Sequence, residues 1–192
     1  MKESKIWVMT LLALLSAVCS LALAYVNVRI DPIIKQNESV RQKRIVMNLF
    51  ELTYDPLNPA AIEKTYAQRI EERETAGIPT YVEKQSGRKA ISLSGNGFQS
   101  PIHVLVALDG DVISSFRVVS QAETPGLGSR ITEESFQKSF AGKKIGGGVK
   151  MVKTGQADAS EFDAITGATE TSRALERLLN AGFSKYFGAS GK

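Results

Sequence analysis

An α+β domain carried behind an N-terminal apolar helix is the fold class this sequence predicts, and three observations predict it. Residues 6–26 are uncharged and mostly apolar. From Thr80 to Ser120 the hydrophobic period is two, interrupted at Ser86-Gly87 and Asp109-Gly110, which reads as an antiparallel meander with hairpin turns. Past residue 169 the period becomes helical: Leu175, Leu178, Leu179, Gly182, Phe183 and Tyr186 form one stripe, a face suited to packing back on a sheet. The expected division is a transmembrane anchor over 1–28, a juxtamembrane helical region over 29–78 and an antiparallel-sheet domain with packed helices over 79–192.

The N-terminal run is long enough, at 1.5 Å per helical residue, to cross a hydrocarbon core of roughly 30 Å. Trp7 and Tyr25 stand near its ends, where interfacial aromatic residues belong. Ala22-Leu23-Ala24 also fits a signal-peptidase site. The run exceeds the roughly 7–15 apolar residues of a signal peptide, so an anchor is expected. Lys2 and Lys5 precede it, whereas Arg29, Lys35, Arg41, Lys43 and Arg44 follow. Counted by the positive-inside rule, these charges place the domain in the cytoplasm.

Ile30, Ile33, Ile34, Val40, Met47 and Phe50 fall near helical spacing, with Asp31-Pro32 as a start signal because proline suits a first turn. Asp55 to Pro59 breaks the pattern, and Asn58 and Pro59 provide a cap and first residue for a charged helix reaching about Thr75. Strands are expected at 81–83, 89–94, 102–108 and 112–120. The bend at Gly95 to Ile102 suits either a close-lying ligand or a wide loop. Thr132 can cap a helix over 133–140, Gly142 ends it, and Val149 to Val152 forms a short strand before a last helix through about Phe187.

Composition removes several function classes. With 43% hydrophobic and 23% charged residues the chain is globular in character. The net charge of +4 is scattered, with no basic stripe for nucleic acid. One cysteine, Cys19 in the apolar run, leaves no disulfide or iron–sulfur set. His103 alternates with apolar residues and has no second histidine to join it at a metal, so neither a metal site nor a catalytic triad is expected. No Gly-x-Gly-x-x-Gly opens a βαβ unit. The apolar run has no ionisable group, so it offers no ion or proton site within a membrane.

Two strings stand apart. Asp163-Ala164-Ile165-Thr166-Gly167-Ala168-Thr169-Glu170-Thr171-Ser172 crowds small and hydroxylated residues where the last helix begins. There the helix dipole and free amides favour anions; a hydroxyl-rich N-cap accounts for the same residues. Glu123-Thr124-Pro125-Gly126-Leu127-Gly128 follows the meander and, by itself, reads as a surface turn. Together the strings resemble the hallmarks of the G subunit of the Rnf electron-transport complex and of its relative, the C subunit of the sodium-pumping NADH:quinone reductase. The resemblance runs from the membrane helix to the last helix.

That resemblance implies an electron-carrier subunit with FMN held as a phosphoester on Thr169. An FAD:protein FMN transferase using Mg²⁺ would attach it, and other membrane subunits would be its partners, in lipid and without nucleic acid. It implies a complex coupling electron flow between ferredoxin and NAD⁺ to Na⁺ or H⁺ translocation, with the soluble domain on the extracytoplasmic side, against the charge count above. On this reading Thr166, Gly167 and Ala168 leave room at the linkage. The amides of 170–172 and the hydroxyls of Thr171 and Ser172 meet the phosphate, and Asp163 forms the turn or is read by the transferase. Glu123, Thr124, Pro125, Gly126, Leu127 and Gly128 make one wall of the ring site, with Leu127 on the ring and Glu123 and Thr124 as polar contacts. The alternatives are the quinone-reductase relative, a stand-alone extracytoplasmic flavoprotein, and an anchored binding or assembly module without a redox cofactor.

Overall fold

The computed structural model describes residues 2–153, 155 and 157–190; Met1, residues 154 and 156 and the last two residues of the expected 79–192 segment lie outside the described residues. The chain divides into two compact units, one ending at Arg41 and the other beginning at Gln42.

The first helix, α1, is Lys2–Leu49. It is the one helix among the described residues long and apolar enough to cross a membrane, and its most apolar window, of mean hydropathy 2.3, buries none of its residues. Asp31-Pro32 starts no new helix, contrary to expectation, because α1 continues through Pro32. Proline removes one backbone donor, and the Asp31–Lys35 pair at 2.7 Å bridges that turn.

The second unit begins with the end of α1, where Val46, Met47, Leu49 and Phe50 are buried. Leu52 N donates to Met47 O at 2.9 Å and Glu51 N to Asn48 O at 3.1 Å, with Glu51 at φ 57°; this is a Schellman end with a glutamate in the left-handed position. Helix α2, Pro59–Arg69, starts as expected, with Asn58 Oδ1 accepting from the amides of Ala60 and Ala61. It stops six residues early, because Ile70–Thr75 is strand β1. Ala76 and Gly77, at φ 55° and 70°, form a two-residue loop with both central residues left-handed. The charged stretch therefore pairs with β2, Ile78–Glu83, from Ile70↔Glu83 to Thr75↔Ile78.

Strands β3 (Lys89–Asn96), β4 (Pro101–Asp109) and β5 (Val112–Ser120) complete a five-stranded antiparallel sheet in sequence order. The period of two is visible in β4, where Ile102, Val104, Val106 and Leu108 face one core. His103, on the other face, shares a hydrogen with Ser92 Oγ at 2.6 Å and is structural. After β5 comes a 3₁₀ turn, Gly128–Thr132, and then the helix expected over 133–140 in shortened form, α3, Glu134–Lys138. Thr132 does not cap: its hydroxyl donates backward to Ser129 O at 2.8 Å. Strands β6 (Lys150–Val152) and β7 (Glu161–Asp163) form a parallel pair; β7 is additional to the expected elements.

The last helix, α4, is Thr169–Ser190, and its apolar stripe covers the sheet. Leu175, Leu178, Leu179 and Phe183 join the β-strand residues in one core, at about 1.5–3 kcal/mol for each fully buried side chain. Close approach to β3 depends on glycine: a Cβ on Gly182 would lie 2.5 Å from both Leu93 methyl carbons. Asn180 fixes the neighbouring layer, accepting from Val149 N and donating to Val149 O, both at 2.8 Å. Phe116, Phe140 and Phe162 fill the space beneath, with ring centroids 4.3 and 5.0 Å apart. Strand β7 and α4 are thus both held, and the segment joining them is where the Asp163 string lies.

Candidate functional site

The connection from β7 to α4 is short and internally bonded. Ala164 N donates to Val152 O at 2.8 Å, and Ala168 N to Ile165 O at 2.9 Å. Gly167, at φ 82°, takes the left-handed position of that turn, which L side chains resist. The Ser172 hydroxyl accepts from Ile165 N at 3.0 Å and donates to Ala168 O at 3.1 Å, while Ser172 N also donates to Ala168 O at 3.0 Å. Ser172 is therefore fully used in shaping the turn, and neither its amide nor its hydroxyl proton is available to an anion, unlike the role expected for it. Thr169, Glu170 and Thr171 precede the first intrahelical bond, so their amides are the donors a helix start leaves for outside acceptors.

Thr169 is on the outer side of the helix start. Thr169 is exposed and helps line a hollow of about 360 Å³ with Phe98, Thr124, Leu127, Gly128, Gly167, Ala168, Glu170 and Thr171. The hollow falls within the size range of small-molecule sites. Phe98 and Leu127, 61% and 45% exposed, supply unburied apolar surface at its edge. The two sequence strings, some forty residues apart, thus meet. Pro125 and Gly126 are exposed and do not line the hollow; they make the turn, with Leu127 N donating to Thr124 O at 3.1 Å and Gly126 at φ 73°. Thr166 is exposed and Asp163 half-buried, and neither lines the hollow. The Asp163 carboxylate accepts from Ala157 N at 3.3 Å, a bond back into the β6–β7 connection.

Glu123 points inward and does not line the hollow. It is 4% exposed, and its Oε1 accepts from the amides of Gln99 and Ser100 at 3.0 and 3.2 Å. The Thr171 hydroxyl donates to Oε2 at 2.8 Å, so its proton too is unavailable to a phosphate. Burial alone pushes the Glu123 carboxyl up; the Gln99 amide, the Thr171 hydroxyl and the Ser100 and Phe98 amides outweigh it and hold the group below the ordinary carboxylate value. Two glycines allow this closeness. A Cβ on Gly97 would lie 2.5 Å from Glu123 Oε1, and one on Gly128 2.6 Å from Thr171 Oγ1.

Phe98, from the bend that the sequence left open between a close-lying ligand and a wide loop, lines the hollow, and so does Glu170, which was expected to take part only through its amide. The phase of α4 contained a signal for the inward hydroxyls: extending the stripe back from Leu175 by three and four residues reaches Ser172 and Thr171 and leaves Thr169 outside. Glu170 places a negative group beside the hollow, but Arg173 Nη1 pairs with it at 2.7 Å. A larger hollow, about 540 Å³, lies toward the other end of α4 by Gly146, Gly148 and Phe187 and contains no residue of either string.

Residues 97–184 match the family model described as FMN-binding domain. The chain is 29% identical over 186 residues to the G subunit of the ion-translocating oxidoreductase complex of Shewanella loihica, covering 91% of this chain and 85% of that one. It is 33% identical over 113 residues to the C subunit of the Na(+)-translocating NADH-quinone reductase of Neisseria meningitidis, covering 55% of this chain. Here the match spans less than half, 42%, of the relative's length. Among solved structures, the C subunit of the Na(+)-translocating NADH-quinone reductase of Parabacteroides distasonis is similar at TM-score 0.66 and 25% identity, over 81% of this chain and 94% of that one.

Proposed function

We propose that the chain, whose residues 97–184 match the FMN-binding domain family model, is the membrane-anchored, FMN-carrying subunit of an ion-translocating oxidoreductase complex, with the flavin esterified to Thr169. The observation that carries this reading is the exposed Thr169 on the wall of a hollow that joins both sequence strings. Sequence similarity over most of both chains supports the ion-translocating oxidoreductase reading, and in such a complex electrons would pass between ferredoxin and NAD⁺.

The residues fit an FMN phosphoester. Thr169 would hold FMN through its side-chain oxygen as a phosphoester, a bond that a separate Mg²⁺-dependent transferase would make with FAD as the FMN donor and AMP as the leaving group. The amides of Thr169, Glu170 and Thr171 and the helix dipole favour the resulting anion. Gly167 and Ala168 keep the linkage uncrowded, and Phe98 and Leu127 offer apolar surface to the ring. When bound, the flavin supplies one-electron chemistry; the chain's part is to tether it, orient it and shield one side from water. Residues 1–28 serve as the anchor and 79–192 carry the flavin on the extracytoplasmic side, with the sheet beginning at Ile70.

The test is co-expression of the full chain with an FAD:protein FMN transferase. Wild type and Thr166→Val are expected to gain the mass of one FMN ester, and Thr169→Val to gain none while still folding. Loss of the ester in Thr166→Val alone, or its retention in Thr169→Val, moves the attachment elsewhere and contradicts the assignment.

A further inference from the structure

We propose that Glu123 is a positioning residue for the flavin site. Its buried carboxylate is a latch that fixes the two walls of the hollow against the helix bearing Thr169, and it makes no contact with the flavin. The inference rests on the flavin reading above and concerns how that site is held.

Three chain segments meet at this one carboxylate. The first is the β3–β4 connection, where Gly97 N donates to Ser100 O at 2.9 Å and the Phe98, Gln99 and Ser100 amides turn toward Glu123. Successive amides converging on one point form a nest for an anion, and the chain's own carboxylate fills it. The glycine-containing loop is therefore not a phosphate cradle; the phosphate site lies at α4. The second segment is the 123–128 turn itself, zipped to the first by Ala122 N donating to Ser100 Oγ at 2.8 Å. The third is α4, joined through the Thr171 hydroxyl.

Each tie holds a residue that lines the hollow. Clamping the 98–100 amides leaves the Phe98 side chain outward and 61% exposed. Seating Glu123 beneath Gly128 sets the Leu127 wall, with Gly128 tight enough that a Cβ would meet Glu123 Cβ at 2.8 Å. Thr171 lies two residues beyond Thr169 on the same helical turn, so its bond to Glu123 fixes the attachment oxygen relative to both walls. Hydrogen bonds to a charged acceptor are the stronger kind, and at 4% exposure water does not compete well for this one. Glu123 and Thr171 are buried polar residues remote from each other in sequence, and the hollow's rim is what they join.

The experiment uses the full chain with and without the transferase. Glu123→Gln keeps the shape and removes the charge, Thr171→Val removes the helix tie, and Thr171→Ser restores its hydroxyl. Without flavin, amide exchange at residues 98–100 is expected to rise at least tenfold in Glu123→Gln and Thr171→Val, with β4 protection kept. It should return to within threefold of wild type in Thr171→Ser. With transferase and FAD, the initial rate of ester formation at Thr169 should fall at least tenfold in the first two and recover in the third. Should Glu123→Gln fail to fold, the Thr171 pair decides. Unchanged exchange, or faster exchange with wild-type esterification, overturns the latch alone; a wild-type chain that takes no flavin overturns the functional reading and the latch with it.

Discussion

Gly128→Ala isolates the contact geometry of the site, because the backbone there tolerates alanine while the space does not. An added Cβ would lie 2.6 Å from Thr171 Oγ1, 2.8 Å from Glu123 Cβ and 2.9 Å from Glu123 Oε2. Two of those atoms belong to the buried hydrogen bond, and the third lies too near the backbone to swing aside. Relief requires the 123–128 turn to move off α4. Overpacking a tight site costs about 1–3 kcal/mol, and loss of a hydrogen bond to a charged group about 1.5–3 kcal/mol. Removing glycine from the unfolded chain returns roughly 0.4–1 kcal/mol. The net expectation is a loss of roughly 1.5–5.5 kcal/mol, read as a fall in Tm of about 3–22 °C for a unit of this size. Thermal unfolding of the detergent-solubilised full chain by circular dichroism measures it. Gly147→Ala is the control: nothing lies within 4 Å of its added Cβ and its φ is outside the left-handed range, so it should be neutral or slightly stabilising. Equal effects from the two substitutions would refute the reasoning from close approach.

Phe140 is fully buried and its ring stacks 4.3 Å from Phe116 and 5.0 Å from Phe162; Phe140→Ala should cost about 3–5 kcal/mol in chemical denaturation, and a loss below about 1 kcal/mol would show that the aromatic cluster is not a core. Acid sensitivity should come partly from Glu83, 1% exposed. Burial raises its carboxyl, but the Ser86 hydroxyl and amide, the Gln85 amide and Arg69 outweigh this and hold it at about 2, against an ordinary 4.5. A carboxyl lowered on folding stabilises fully above its unfolded value, and the contribution disappears as pH falls from 4.5 towards about 2. Unfolding free energies between about pH 6 and 2.5 should therefore fall less steeply in Glu83→Gln than in wild type; parallel curves would remove Glu83 from the account.

Local patterns were sufficient for some elements and not for others. Strands β4 and β5 follow from alternation, since every second residue of Ile102 to Leu108 enters one core. Asn58 declares itself as a cap because its partners are two and three residues away. Strand β1 was not legible: Ile70–Thr75 is a charge-rich run that suits a helix, and only pairing to β2 across the Ala76-Gly77 loop makes it a strand. The parallel β6–β7 pair joins residues eleven apart, and since each strand is three residues long, tertiary contacts decide it. At the site, small residues and hydroxyls announced the Thr169 turn, yet residue type did not tell which hydroxyls face outward. Helix phase does, and it turns Thr171 and Ser172 inward. Glu123 likewise looks like a surface acid in sequence; its burial depends on amides from a loop 23 and 24 residues earlier.

The most direct measurement is made on the denatured chain. Full-length protein produced with the transferase, unfolded in detergent and separated by size, should show flavin fluorescence at the chain's own mass, and digestion should assign an FMN ester to the peptide containing Thr169. A fluorescent chain with the ester on another residue, or a chain that loses all flavin on unfolding, would contradict the central claim.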